Sequence, residues 1–236
     1  MKIVILCGGM GTRLMEETHK IPKPLVEIGG KPILWHLIKY FSSFGHNEFI
    51  LAGGYKFKLI KTYFKKNIIN GCKINVVNTG LNTLTGGRLL RLKKYFQKDE
   101  IFMMTYGDGL SDINLNMLLK FHYKSNKIAT LTAIRPPLRF GELKINSINQ
   151  VSSFREKIQS SKNWINGGFF VLNSKIFNLI KNDKTIFEKD PIIKLVKKKE
   201  LNAYKHFKFW QCMDTMRDKI LLNKIWKNKK APWKTW

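Results

Sequence analysis

The strongest constraint on this chain lies at its start, where an apolar run from Ile3 to Leu6 empties into Cys7-Gly8-Gly9-Met10-Gly11-Thr12-Arg13. An unbroken apolar run behind a glycine-rich turn predicts a strand buried on both faces, as in a parallel sheet covered by helices. Glycines at 8, 9 and 11 lack a Cβ, so the backbone there can take positive φ and turn N–H groups toward an anion. Thr12 adds a hydroxyl donor, and Arg13 a charged fork suited to phosphate. Farther on, Pro22-Lys23-Pro24 holds a lysine on a stiff, extended segment. A glycine turn with surface charges would account for the first feature alone. The turn, the arginine and the stiffened lysine together point to polyphosphate chemistry.

The rest of the chain alternates in the βα manner. A strand at 2–6 is followed by a helix from near Pro32, which puts Ile33, Leu34, Leu37, Ile38 and Phe41 on one face and ends at Gly45. Strands at 48–52, 73–77, 101–105 and 128–134 alternate with helices at 56–66, from Gly87 through Phe96, and at 114–124. This pattern predicts a doubly wound α/β sheet. After Pro136-Pro137, shorter strands near 141–146, 150–155 and 167–172 predict an antiparallel or mixed extension of the same sheet. Helices near 174–180, 189–198 and 216–227 close the chain. No linker divides the 236 residues, and a single domain over 1–236 is expected.

Composition enters as a warning. Forty-three Lys and Arg against sixteen Asp and Glu give a formal net charge of +27, which can signal nucleic-acid or membrane binding. The lysines, however, are spread along the whole chain rather than clustered, so no nucleic-acid partner is expected. No apolar run approaches the length of a membrane span, and the N-terminal run is too short for a signal peptide. Three scattered cysteines, Cys7, Cys72 and Cys212, fit free thiols in the reducing cytoplasm.

Further positions can carry chemistry. Ligands in open α/β sheets bind beyond the carboxyl ends of the strands, so Gly107-Asp108-Gly109 can face the same crevice as the first loop. Asp108 can share a divalent cation with phosphates, although Asp-Gly is also an ordinary turn pair. Asp214 just precedes the last helix, where either a helix cap or a metal ligand is open. Residues 79–88 form a second glycine-rich segment in which Thr83 can contact the edge of a base. Arg88 sits in a first helical turn, against the dipole, which calls for a ligand or a partner carboxylate. Glu156, Lys157, Asn166 and Gly167 suit sugar hydroxyls and a monoester phosphate, or equally a bulge and a surface ion pair.

With these segments in view, the chain resembles the sugar-phosphate nucleotidyltransferases over nearly its whole length. The resemblance runs through GGMGTRL, EETHKIPKPLVEIGGKPILWH, NTLTGGRLLRLK, TYGDGLSDI, RPPLRFGEL, WINGGFFVLN, FWQCMDTMRDK and APWKTW. GGxGTR with a downstream PKP marks the family, and the last three segments are more particular to its cytidylyltransferase branch. The resemblance implies a Rossmann-like mixed sheet of the nucleotide-diphospho-sugar transferase type, holding CTP, glucose 1-phosphate and Mg²⁺ in one cleft of a homo-oligomer. By position, Gly8, Gly9, Gly11 and Thr12 would line CTP, with Thr83 and Arg88 also at the nucleotide. Arg13 and Lys23 would hold its phosphates, and Asp108 and Asp214 the metal. Arg13, Lys23 and Asp108 form the implied catalytic set, and Glu156, Lys157, Asn166 and Gly167 the sugar-phosphate set. Two departures stand out. The link between Phe64 and Asn78 is about twenty residues shorter than the family's extended arm, and Ile158 replaces a proline. A relative using dTTP or UTP, or one that binds CTP without turnover, would share the phosphate machinery.

Overall fold

The structure, a computed structural model, describes residues 1–136, 142–155 and 163–236. The strands are β1 (Lys2–Cys7), β2 (Glu27–Ile28), β3 (Lys31–Pro32), β4 (Glu48–Gly53), β5 (Lys73–Asn78), β6 (Ile101–Tyr106), β7 (Gly109–Ser111), β8 (Ala129–Ile134), β9 (Glu142–Ile145), β10 (Val151–Arg155), β11 (Ile165–Asn173), β12 (Leu201–His206) and β13 (Trp210–Cys212). The α-helices are α1 (Met15–Thr18), α2 (Ile33–Ser43), α3 (Phe57–Lys66), α4 (Thr85–Leu90), α5 (Leu115–Ser125), α6 (Asp190–Lys197) and α7 (Met216–Lys227).

Seven strands form the central sheet in the order β12-β8-β11-β6-β1-β4-β5. All run parallel except β11, which is antiparallel to both β6 and β8. The apolar run in β1 is buried because both of its faces are covered. Ile3, Ile5 and Cys7 join one hydrophobic cluster with Leu34, Leu37 and Phe41 of α2, while Val4 and Leu6 join the other with Leu89, Phe177 and Leu195. That is the two-residue alternation of a strand between two helical layers.

The lone antiparallel strand has a direct consequence for the crevice. Parallel strands deliver their last residues to the carboxyl edge, whereas β11 enters the sheet at that edge with its first residues. Its pairing slips between Asn166 and Phe170, so the Gly167-Gly168 pair forms a bulge beside the ends of β6 and β8.

Four sequence expectations change. β9 and β10 pair with each other as a separate two-stranded sheet instead of extending the main one. The segment near 174–180 is a 3₁₀ helix, Ser174–Leu179. The helix expected from Gly87 through Phe96 runs from Thr85 to Leu90, with a 3₁₀ turn at Lys93–Tyr95. Gly86 and Gly87 sit inside this helix because the backbone at residues 183–185 lies against them; a Cβ on Gly87 would stand 2.4 Å from the Asp183 carbonyl oxygen. Finally, β12 and β13 went unforeseen. Among the described residues no helix is long and apolar enough to cross a membrane.

Candidate active site

A cleft of about 850 Å³ opens at the carboxyl edge of the sheet, within the usual size of small-molecule sites. The loop after β1 forms one wall. Of its three glycines only Gly11 has positive φ, at 68°, and the Leu14 N–H donates back to its carbonyl at 3.0 Å. Gly8 is glycine for a different reason. A Cβ there would stand 2.3 Å from Arg88 Nη1.

Arg88 is buried, and among the described residues it meets no carboxylate. Its guanidinium donates to the carbonyls of Gly8 at 2.9 Å, Gly80 at 2.6 Å and Leu81 at 3.1 Å, and to Thr79 Oγ1 at 2.8 Å. One side chain therefore pins the first glycine loop to the second. Burial among neutral partners pulls its pKa below the usual arginine range.

Four charged side chains meet on the other wall. Lys23 Nζ lies 2.7 Å from Asp108 Oδ2 and 2.6 Å from Asp214 Oδ1, and Arg13 Nη1 lies 2.7 Å from Asp214 Oδ2. Pro22, with φ −67° and ψ 144°, sends Lys23 inward on an extended entry. Gly107 lets Asp108 into the corner, since a Cβ would stand 3.2 Å from both Cys7 Cβ and Pro24 Cγ. Burial opposes a charged Lys23, but attraction to Asp108 and hydrogen bonds to both carboxylates prevail and raise its pKa. Burial likewise pushes the Asp214 carboxyl up, yet Lys23 and then Arg13 outweigh it and hold the pKa low.

Two local devices bring the carboxylates together. β13 pairs antiparallel with β7, with Cys212 opposite Gly109, and the Met213 N–H donates to the Asp108 carbonyl at 2.8 Å. Residues 108 and 214 are thereby drawn from distant parts of the chain. The helix cap, left open on sequence, falls to Thr215. Its Oγ1 accepts from the Asp218 N–H, and Asp218 Oδ2 accepts from the N–H groups of Asp214 and Thr215. The Asp214 carboxylate is left facing the cleft. Between the two acids, burial first and then the Asp214 and Asp108 charges push the Cys212 thiol up to about 12.

Thr83, nearly buried, lines the cleft with Leu81, Asn82, Leu84 and Thr85. Asn166 and Gly167 line it from β11. Asn166 Oδ1 accepts the Gly168 N–H at 2.8 Å, and Trp210 Nε1 donates to the Gly167 carbonyl at 2.7 Å. Glu156 and Lys157 lie outside the described residues. The structure thus gathers Gly8, Gly9, Gly11, Thr12, Arg13, Lys23, Thr83, Arg88, Asp108, Asn166, Gly167 and Asp214 around one cavity. Sequence reasoning missed Tyr106 and Trp210, which line this cavity, and Glu188, which accepts from the Tyr106 hydroxyl. The first two lie inside quoted motifs but beside more conspicuous glycines and acids, and Glu188 sits in an unremarkable stretch before a helix.

A hard divalent cation fits the acidic pair. The donors are carboxylate oxygens, and the Lys23 ammonium already stands between them as a cation of the structure's own. Among the described residues no group of three or more His, Cys, Asp or Glu forms an all-protein metal cage. Two carboxylates with room beside them suit an ion that keeps waters and shares phosphate oxygens.

The chain is similar to known proteins over nearly its whole length. The nucleotidyl transferase family model matches residues 2–226. The glucose-1-phosphate cytidylyltransferase of Salmonella typhimurium is 46% identical over 257 aligned positions that cover 100% of both chains. This chain has 236 residues, so the relative carries segments absent here. The D-glycero-alpha-D-manno-heptose 1-phosphate guanylyltransferase of Campylobacter jejuni is 36% identical, covering 75% of this chain and 78% of that protein. The crystal structure of HddC from Yersinia pseudotuberculosis complexed with GMP-PN has a TM-score of 0.75 at 26% identity, covering 95% of this chain and 99% of that one.

Proposed function

The chain belongs to the nucleotidyl transferase family, and from that premise we propose that it transfers a cytidylyl group from CTP to glucose 1-phosphate, releasing pyrophosphate and CDP-glucose. The observation that carries this reading is the Lys23 ammonium held between Asp108 and Asp214, with Arg13 on the same carboxylate, beside a glycine loop. The full-length identity to the Salmonella typhimurium enzyme supports the choice of substrates.

A phosphate oxygen of glucose 1-phosphate is already anionic near pH 7, so no general base is needed. It attacks the α-phosphorus of CTP in line; the new P–O bond forms as the bond to the bridging oxygen of pyrophosphate breaks. Catalysis is then positioning and charge neutralisation. Lys23, on its stiff segment, is placed to steady the α-phosphate. Arg13, exposed and held only by Asp214 among the described contacts, can turn to the departing pyrophosphate. The glycine loop offers N–H groups, with Arg88 fixing its distance from the loop at 80–85 that faces the base. Asp108 and Asp214 would hold Mg²⁺, which when bound neutralises phosphate oxygens. Asn166 and Gly167 present the sugar side, and Glu156 and Lys157 follow by family position.

Cytoplasmic action and homo-oligomeric assembly belong to the same proposal. Three free cysteines support the former. The test is incubation with CTP, glucose 1-phosphate and Mg²⁺, looking for CDP-glucose, with dTTP, UTP and GTP run in parallel. Faster pyrophosphate release with another nucleotide would reassign the base; none with any nucleotide would overturn the activity.

A further inference from the structure

The mechanism above leaves a hydrogen-bonded chain at the cleft wall without a task. Tyr106 ends β6 two residues before Asp108 and lines the cleft. Its ring lies against Gly168, where a Cβ would stand 2.7 Å from Tyr106 Cδ2. The Tyr106 hydroxyl donates to Glu188 Oε1. Asn166 Oδ1 accepts the N–H of the same Gly168 on which the Tyr106 ring rests. The other Glu188 oxygen accepts from Thr85 Oγ1 at 2.6 Å, and that hydroxyl accepts the Phe187 N–H at 2.9 Å.

Glu188 therefore joins two walls that are far apart in sequence. Its two oxygens can only accept, so the hydroxyls of Tyr106 and Thr85 are both fixed as donors toward it. Tyr106 is thereby held with its ring against Gly168, whose N–H fixes the way the Asn166 amide points. An exposed glutamate has no need of such partners for solubility. Holding both walls is what this arrangement does.

We propose that Glu188 is a positioning residue that sets the sugar-phosphate side of the cleft through Tyr106 and Asn166 and ties it, through Thr85, to the nucleotide side. The assignment of the two sides rests on the function proposed above.

The test combines kinetics with hydrogen exchange on Glu188→Ala, Tyr106→Phe, the double variant and Glu188→Gln. Losing one charge-assisted hydrogen bond is expected to raise KM for glucose 1-phosphate on the order of tenfold, with kcat and the KM for CTP moving less. The double variant should be no worse than Glu188→Ala, because both act through one contact. Glu188→Gln keeps an acceptor for Tyr106 and should recover most of the loss. In the ligand-free protein, Glu188→Ala should speed exchange in both segments, 81–90 and 164–172. An unchanged KM for glucose 1-phosphate, an additive double variant, or faster exchange in only one segment or neither would overturn the proposal. Should the wild-type protein release no pyrophosphate, the activity falls, while the exchange measurement still decides whether Glu188 couples the two walls.

Discussion

Replacing Lys23 with Met isolates the electrostatic core of the site. The ammonium lies 2.7 and 2.6 Å from oxygens of Asp108 and Asp214, so those oxygens are no more than about 5.3 Å apart, near enough for direct repulsion once it is gone. At an effective dielectric of about 20, two like charges at that distance repel by about 3 kcal/mol. Side-chain exposure of 29% for Asp108 and 14% for Asp214 admits some water, and Arg13 still faces Asp214. A net loss of about 2–3 kcal/mol is expected, below the usual range for breaking a fully buried pair. For a chain of this size that corresponds to a fall of about 5–10 °C in Tm. Methionine keeps the bulk of the stem, so packing contributes little to the difference.

Three controls separate this account from a general loss of fit. Adding Asp108→Asn to Lys23→Met should return most of the stability, because one negative charge remains with Arg13 to balance it. Lowering the pH toward 4 should shrink the gap between variant and wild type, since two unshielded carboxylates share a proton readily. Millimolar Mg²⁺ should raise the variant's Tm more than the wild type's, because the acids no longer have to exchange a lysine for the metal. Thermal melts across this set suffice. A Lys23→Met Tm within a degree of wild type, or a double variant no better than the single, would refute the reasoning.

Arg13→Ala and Asp108→Asn should each leave a folded protein with pyrophosphate release reduced on the order of 10²-fold or more; a near-normal rate in either removes that residue from its proposed role. Gly8→Ala should destabilise by about 1–3 kcal/mol and weaken CTP binding, because the Arg88 guanidinium occupies the space a Cβ needs; urea unfolding and calorimetry check the two effects. Stability should rise between pH 5 and 7 through His36. Burial, more than offsetting its bond to the Ile28 carbonyl, lowers its pKa from 6.5 to about 4, so below 6.5 the unfolded chain takes up the proton first. The difference at pH 5 is about 2 kcal/mol, and a flat urea-unfolding profile across that range would contradict it. Asp214 acts in the same direction but in a lower window: its depressed pKa gives stability that is present above 3.8 and lost only as pH falls further, so it contributes nothing to that slope.

How much of this was legible beforehand depended on whether the determinant was local. β1 and the α2 face were readable because burial on both sides of a strand, or on one side of a helix, leaves a periodic trace in adjacent residues. β12, Leu201–His206, left no such trace. It is an edge strand with only one neighbour, and its polar residues hide the pattern. The pairing of β9 with β10 alone was equally unreadable, because alternation predicts a strand without naming its partner.

The site divides along the same line. Glycines 8, 9 and 11 were found by spacing, yet for Gly8 the reason was misjudged. The demand comes from Arg88, eighty positions away, and no local pattern encodes it. Arg88 was expected in a first helical turn, but the helix starts at Thr85 and puts it in the last turn, so the dipole was never the conflict and only the guanidinium's need for partners remained. Its answer turned out to be carbonyl oxygens, which every sequence contains and none advertises. Asp214 shows why such gaps close only in three dimensions. On sequence Asp214 stood open as a helix cap or a metal ligand, and in the structure Thr215, one position on, takes the cap. Asp218 decides the contest by completing a capping box with Thr215, and β7–β13 pairing then swings the unused carboxylate toward Lys23. A residue's chemistry here is set by which neighbour takes the structural task first, so the acid that escapes capping is the one left to meet a cation.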